Sequence, residues 1–413
     1  MNYQEAYNYL LSLGNISGRE YLKDLRHCVI YLERLQKLLD ILGNPEKKIP
    51  HYIHVTGTSG KGSVCLMLDA ILRADQRKVG VLTSPSPDGL LGRAAVGGKA
   101  MNKKEFAELM EKIKAALEIF IHKTNLEIPS QFEILTAMAL LYFADKKIDW
   151  AIIEVGLGGR FDSTNVIPRK DVAVITNIGL DHTDVLGNSK IKIAYEKTGI
   201  IKPRCAVFTS ETDKKILKII AKACRLNKVK LFQTIENAKL NSAVCVAVSR
   251  HLGINENTIA RGIKKTKLPI RLEIISQKPL IILDGAHNED KMKTTTAAVK
   301  KIMGEKKITD INLLVGFAAN KDIDTMTKQL AELQPKNIAC TRFTQNFSRK
   351  TADPRDLRQQ LKKLLRRSNI EIFLDPKTAM EWIRQKQKAG DILLVTGSMY
   401  LAGELRESFK LSP

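Results

Sequence analysis

The chain has 413 residues, 44% hydrophobic and 27% charged, and its 67 lysines and arginines against 44 acids give a formal net charge of +23. That length exceeds one comfortable core, so two domains are expected, and the composition is that of an ordinary globular protein. No apolar run approaches the roughly 20 residues that span a bilayer, and the opening MNYQEAYNYLLSL lacks the basic region and apolar core of a signal peptide.

The six cysteines are scattered without a CxxC pair, which argues against a disulfide framework or a zinc site and predicts a cytoplasmic protein. The positive balance invites a nucleic-acid reading. The basic residues, however, are spread along the whole chain on polar helix faces such as Lys362, Lys363, Arg366 and Arg367, and only 6% of residues are aromatic. No stacking platform is built that way. The expected role of the charge is a solvated surface that attracts anionic small molecules, with no specific nucleic acid and no membrane as partner.

In chain order, strands are predicted at His51–Thr56, Val79–Thr83, Ala151–Val155, Val172–Thr176, Ala206–Thr209 and Lys230–Phe232. After a gap come Leu280–Leu283, Ile311–Val315, Ile338–Cys340, Ile370–Leu374 and Ile392–Thr396. Helical spacing fills the intervals, as at Val64–Leu72, Lys103–Phe120 and Glu133–Ala144. Such alternation predicts an α/β protein of two doubly wound parallel sheets with helices on both faces. The basic stretch closed by proline at Lys264–Pro269 divides it, giving domains 1–266 and 267–413. Ligands of open parallel sheets sit beyond the carboxyl ends of the strands. The polar motifs fall at those ends: the loop after His51–Thr56, Thr83–Ser84, Glu154, Asn177–His182, Asp284–Asn288 and Gly397–Ser398.

HVTGTSGKGS, from His54 to Ser63, joins a strand to a helix through glycines. Converging backbone N–H groups and a helix dipole there would hold a phosphate. Lys61 would reach the outer phosphates and Ser63 would offer a hydroxyl to Mg²⁺. The strict phosphate-loop pattern fails, with Val55 at its first glycine and Gly62 directly after the lysine. On these residues alone the loop is either a phosphate cradle or a structural glycine turn. Glu154, at a strand end, is placed to ligate a nucleotide's Mg²⁺ or to cap a helix. His182 reads as a ligand or as a structural histidine. Lys197 reads from composition as a surface lysine.

Taken together, HVTGTSGKGSV, SQFEILTAMALLYFA, EVGLGGRFDSTNVI, TNIGLDHTDVLG, YEKTGIIKP, LDGAHN and VTGSMYLAGELR resemble, in order and spacing, the folylpolyglutamate synthase and dihydrofolate synthase family of the Mur ligase superfamily. That resemblance covers nearly the whole chain and accounts for the altered phosphate loop. It implies an N-terminal ATPase-like Mur ligase domain followed by a smaller Rossmann-like glutamate ligase domain. It also implies an ATP-dependent ligase that adds L-glutamate to a folate or dihydropteroate through an acyl phosphate; separately, a monomer is expected. The other readings are a Mur-type ligase for a non-folate carboxylate and a nucleotide-dependent nucleic-acid-binding protein.

By the resemblance, Thr58, Ser59, Gly60, Lys61, Gly62 and Ser63 surround the ATP phosphates. Ser84, Glu154 and His182 match Mg²⁺ ligands, and Lys197 matches a lysine that is carbamylated. Lys61, Lys197 and His182 are thus the expected catalytic residues. Asn241, Arg271 and Asp284 match nucleotide contacts, with His287 and Asn288 beside them. Ser130, Gln131, Phe132 and Glu133, with Phe161, Asp162 and Ser163, match segments lining the pterin site. The chain departs from the family pattern at Ser86, which stands where histidine is usual, and around Arg93 and Ala94. It departs again at Ile270, where glycine is usual, and slightly at Ala319–Asp322. The expected seat of substrate differences is therefore Ser84–Met101.

Overall fold

A computed structural model describes residues 1–14, 28–86, 88–234, 240–345 and 350–410. The chain divides into two compact units. One comprises Met1–Ser86 with Leu90–Lys267, the other Pro87–Gly89 with Leu268–Pro413.

The first unit is built on eight strands: β1 (His51–Thr56), β2 (Val79–Leu82), β3 (Ala94–Val96), β4 (Lys99–Ala100), β5 (Trp150–Glu154), β6 (Val172–Ile175), β7 (Ala206–Thr209) and β8 (Leu231–Gln233). Their order across the sheet is β4-β3-β2-β5-β1-β6-β7-β8. β2 to β8 of this row run parallel, while β3 and β4 form an antiparallel edge on β2. Sequence periodicity misses that edge because AAV and KA are too short to show an alternation. β1, β5 and β6 are buried on both faces, as parallel strands covered by helices on each side must be.

On one face lies a helical layer of α1 (Tyr3–Leu13), α2 (Val29–Ile41), α4 (Lys103–Lys123) and α5 (Gln131–Asp145). The helix α5 is buried on nearly every side, with only Leu135 half-buried between Ile134 and Phe143, because sheet and helices enclose it. α3 (Lys61–Ala74) carries the phosphate-loop candidate into the sheet and is buried along Val64–Leu72. α6 (Thr183–Leu186), α7 (Lys190–Thr198) and α8 (Lys214–Leu226) follow, and α9 (Leu240–His251) and α10 (Glu256–Lys265) pack on α3.

The second unit has β9 (Glu273–Gln277), β10 (Leu280–Leu283), β11 (Ile311–Val315), β12 (Asn337–Cys340), β13 (Asn369–Ile372) and β14 (Ile392–Thr396), in the order β13-β12-β11-β14-β10-β9. All pairs are parallel except β9 on β10. β9 was not predicted. Its EIISQ is mostly half-buried and has no apolar face strong enough to mark it.

Gly262 sets how closely α10 lies on α3, since a Cβ there would stand 2.5 Å from Ile71 Cα. In an open helix, glycine to alanine stabilises by about 1 kcal/mol. Here the sign reverses: Gly262→Ala is expected to lower unfolding free energy by about 1–3 kcal/mol, measured by urea denaturation.

Candidate functional site

β1 ends at Thr56, and the chain turns through Gly57 with φ 147°. A Cβ on Gly57 would lie 1.7 Å from Thr176 Oγ1, so only glycine lets the two loops come this close. Gly60 caps α3 with φ 86°, and a Cβ there would meet Asn241 Oδ1 at 2.4 Å. Both glycines answer a specific backbone demand, and α3 supplies a fourteen-residue helix whose first N–H groups face the turn.

The loop is held from the β6 side. Thr58 N–H donates to Asn177 O at 2.8 Å and Ser59 N–H to Asn177 Oδ1 at 2.9 Å. Thr58 Oγ1 donates to Gly179 O and accepts from Gly179 N–H at 2.9 Å. Thr176 Oγ1 donates to Ser59 O at 2.6 Å. Behind it, Glu211 accepts from Ile178 N–H at 2.7 Å. Among the described residues the hydroxyl of Ser59 is buried without a hydrogen-bond partner.

Two lysines meet at one carbonyl. Lys61 Nζ and Lys197 Nζ each donate to Gly57 O at 3.0 Å. Lys197 is 5% exposed, so its reading as a surface lysine is corrected: α7 ends against the phosphate loop and takes the side chain inward. Burial first, then the Lys61 charge, lower its ammonium to about 7, against the pull of Asp181 and Asp162.

Glu154 is buried at the end of β5 and accepts from Ser84 N–H at 3.1 Å. Its Oε2 would be 3.3 Å from a Cβ on Gly62, so the carboxylate lies directly against the phosphate loop. His182 opens α6 in a left-handed conformation, φ 50°, on the loop that Thr58 and Ser59 anchor. Among the described residues no three His, Cys, Asp or Glu gather into a metal cage. Glu154, with Ser84 N–H hydrogen-bonded to it and the candidate phosphate loop alongside, suits Mg²⁺. That ion takes only one or two carboxylates and completes its shell with water and phosphate.

The segments expected to line the acyl site are placed differently from one another. Ser130 Oγ and Glu133 form a reciprocal cap on α5. Glu133 also accepts from Arg34 at 2.6 and 3.1 Å, and Gln131 Nε2 donates to Leu10 O at 3.1 Å. The Gln131 and Glu133 side chains are thereby committed to α1 and α2. Phe132 instead leans on Gly156, where a Cβ would be 2.5 Å from its ring. Ser163 Oγ lies 3.2 Å from Thr136 Oγ1, and Asp162 is buried. Sequence reading missed Arg34. Its signal was a charge one turn before Leu38, on the buried face of α2, where a partner is obligatory.

In the second unit Asp284 accepts from Leu272 N–H at 2.9 Å, Ala286 N–H at 2.9 Å and Thr295 Oγ1 at 2.7 Å. His287 Nδ1 donates to Gly285 O, leaving Nε2 to accept from Lys291 Nζ at 3.1 Å. Asn288 caps the following helix, α11 (Glu289–Lys306). Asp284 and Asn288 therefore shape the turn after β10.

Residues 55–251 match the family described as Mur ligase middle domain, and residues 270–399 the one described as Mur ligase, glutamate ligase domain. The chain is 31% identical to the dihydrofolate synthase/folylpolyglutamate synthase of Bacillus subtilis, over 92% of this chain and 95% of that protein. Among solved structures it is similar to E. coli FolC in complex with DHPP and ADP, with 27% identity, TM-score 0.81 and coverage of 98% and 97%. It is also similar to the bifunctional folylpolyglutamate synthase/dihydrofolate synthase of Yersinia pestis complexed with AMPPNP and Mn, with 26% identity, TM-score 0.81 and 98% of each chain covered.

The Arg34–Glu133 pair has side-chain exposures of 4% and 2%. Arg34→Met strands a buried carboxylate and is expected to cost about 3–5 kcal/mol of stability, most of which Arg34→Met/Glu133→Met recovers. Equilibrium unfolding of the two variants checks this.

Proposed function

The chain belongs to the folylpolyglutamate synthase and dihydrofolate synthase family of Mur-type ligases, and from that premise we propose that it joins L-glutamate to a folate-type carboxylate with ATP, releasing ADP and phosphate. One observation carries the reading. The glycine turn after β1, the Lys61 ammonium and the Glu154 carboxylate meet at the carboxyl ends of the paired strands β1 and β5, and the 156–163 loop leaves β5 there.

A carboxylate is a poor acyl donor, because its leaving group is oxide. Its oxygen attacks the γ-phosphorus of ATP, the bond to ADP breaks, and the acyl phosphate that forms has phosphate as leaving group. The glutamate α-amine then attacks the acyl carbon, loses a proton and expels phosphate as the amide forms. Backbone N–H groups at Gly60–Ser63 and the Lys61 ammonium hold the charge of the transferring phosphoryl group. Bound at Glu154 and Ser84, Mg²⁺ would supply further charge neutralisation on the phosphates. Phe161, Asp162 and Ser163 mark the segment that presents the acyl substrate. Asn241, which lies against Gly60, is a proposed nucleotide contact, and by the family pattern so are Arg271, Asp284 and His287.

Lys197 carries a second part of the proposal. A buried amine with its ammonium near 7 is substantially neutral at neutral pH, the form that adds CO₂. The resulting carbamate turns a cation that repels Lys61 into an anionic oxygen ligand beside the nucleotide. His182, on the adjoining loop, completes the proposed ligand set.

ADP release should require both glutamate and tetrahydrofolate or dihydropteroate, and Lys61→Ala should lower kcat by about 100-fold or more with an unchanged melting temperature. ADP release indifferent to the folate would overturn the reading. As pH rises through about 7 the neutral amine of Lys197 increases. A ¹³C carbamate resonance from labelled bicarbonate should therefore be stronger at pH ~8 than at pH ~6 and absent from Lys197→Ala.

A further inference from the structure

We propose that His54 is a positioning residue for the acyl-substrate loop, acting through Thr164 and Asp162; the acyl assignment of that loop rests on the function proposed above. His54 lies within β1, fully buried, between the apolar Ile53 and Val55. Its Nε2 is 2.8 Å from Thr164 Oγ1. Thr164 spends its one hydroxyl hydrogen on Asp162 Oδ1. The shared contact therefore requires a proton on Nε2, with His54 as donor and Thr164 as relay.

That tautomer leaves Nδ1 bare, and it is buried with no hydrogen-bond partner among the described residues. Burial and the nearby Lys170 and Lys202 charges hold the ring neutral. An apolar residue would pack β1 without stranding a nitrogen, an omission that costs about 1–3 kcal/mol. The hydrogen bond to Thr164 is what a histidine adds at this position.

The far end of the relay explains its use. Asp162 accepts from Leu157 N–H at 2.8 Å and Thr164 N–H at 3.0 Å besides the Thr164 hydroxyl. Its carboxylate is thus occupied by the loop itself, folding residues 157–164 around one acid. Gly156 and Ser163 of the same loop touch Phe132 and Thr136 on α5. Asp162 shapes the surface on which the acyl substrate rests, and its neighbour Phe161 is half-buried. Because His54 precedes Gly57 by three residues on a rigid central strand, one element fixes both the phosphate loop and the acyl loop. The relay sets the acyl carboxylate in register with the phosphate it attacks.

The test uses the full chain with His54→Leu, Thr164→Val, the double variant and His54→Gln, whose amide can still donate. KM is measured separately for dihydropteroate or tetrahydrofolate and for ATP, and amide exchange is followed at Leu157 and Thr164. Each single change to an apolar residue should raise the acyl-substrate KM about tenfold with the ATP KM within about twofold. It should also speed exchange at both amides. The double variant should be no worse than either single, since both cut one chain, and His54→Gln should recover part of the loss. An acyl KM within twofold of wild type, an equal rise in both KM values, or additive singles would overturn the proposal. A wild-type protein without folate activity would instead refute the proposed function, and unchanged exchange in His54→Leu would then refute the relay by itself.

Discussion

The carboxyl end of β1 has no room for a side chain at Gly57, and the arrangement of the site follows from that close approach. Thr176, at the end of β6, occupies the place where a Cβ would project and donates to Ser59 O. The two loops are consequently one structure, tied again through Thr58, Asn177 and Gly179. Gly57 also turns its carbonyl toward both Lys61 and Lys197. A bulkier residue would displace the turn, and with it the common acceptor of two cations contributed by different helices.

Placing two ammonium groups at one carbonyl is electrostatically unfavourable unless one is discharged or an anion arrives. Burial and the Lys61 charge drive Lys197 toward neutrality, while Lys61 is the more exposed of the two. The same logic recurs behind residues 157–164, where Lys170 is fully buried, its ammonium lowered by desolvation and by Lys202. Lys170 is nevertheless fully used, donating to Asn165 Oδ1 at 2.6 Å and Ile200 O at 2.7 Å. The global charge of +23 is mostly a matter of exposed helix faces. These few interior bases do the local work, and in each case a carbonyl or amide oxygen receives them.

Strand–loop–helix order, the parallel centre of both sheets and the polar strand ends were legible because buried β-branched runs and glycine turns are local signals. β3, β4 and β9 were not, since short or half-buried edge strands are defined by their neighbours and not by their own periodicity. In the site, Gly60, Lys61 and Glu154 could be singled out from motif spacing, whereas Gly57 stands out only through its contact with Thr176. The direction of a side chain could not. Lys197 looked like any helical lysine, and its burial depends on where α7 ends. Gln131 and Glu133 sit in a recognisable substrate motif, yet their side chains turn away toward α1 and α2. Only the partners Leu10 and Arg34, about 120 and 99 residues distant in sequence, reveal it.

The departure from the family pattern at Ile270 has a physical explanation in the turn around Arg271. Ile270 and Leu272 have φ values of 49° and 48°, so two residues with side chains occupy left-handed conformations on either side of the arginine. That region costs of order 1–3 kcal/mol per strained residue, most for a β-branched one, and glycine removes the cost. Here the neighbours hold the conformation instead. Ile270 N–H donates to Glu273 Oε2 at 2.8 Å, Leu272 N–H donates to Asp284 at 2.9 Å, and the Ile270 side chain is buried in the second unit's core. Buried apolar area and two charge-assisted hydrogen bonds offset the strain. Asp284 is thus tied to the geometry of Arg271 whatever it contributes to a ligand. An isoleucine is therefore carried in a left-handed conformation by its buried side chain and by hydrogen bonds on both sides of the arginine.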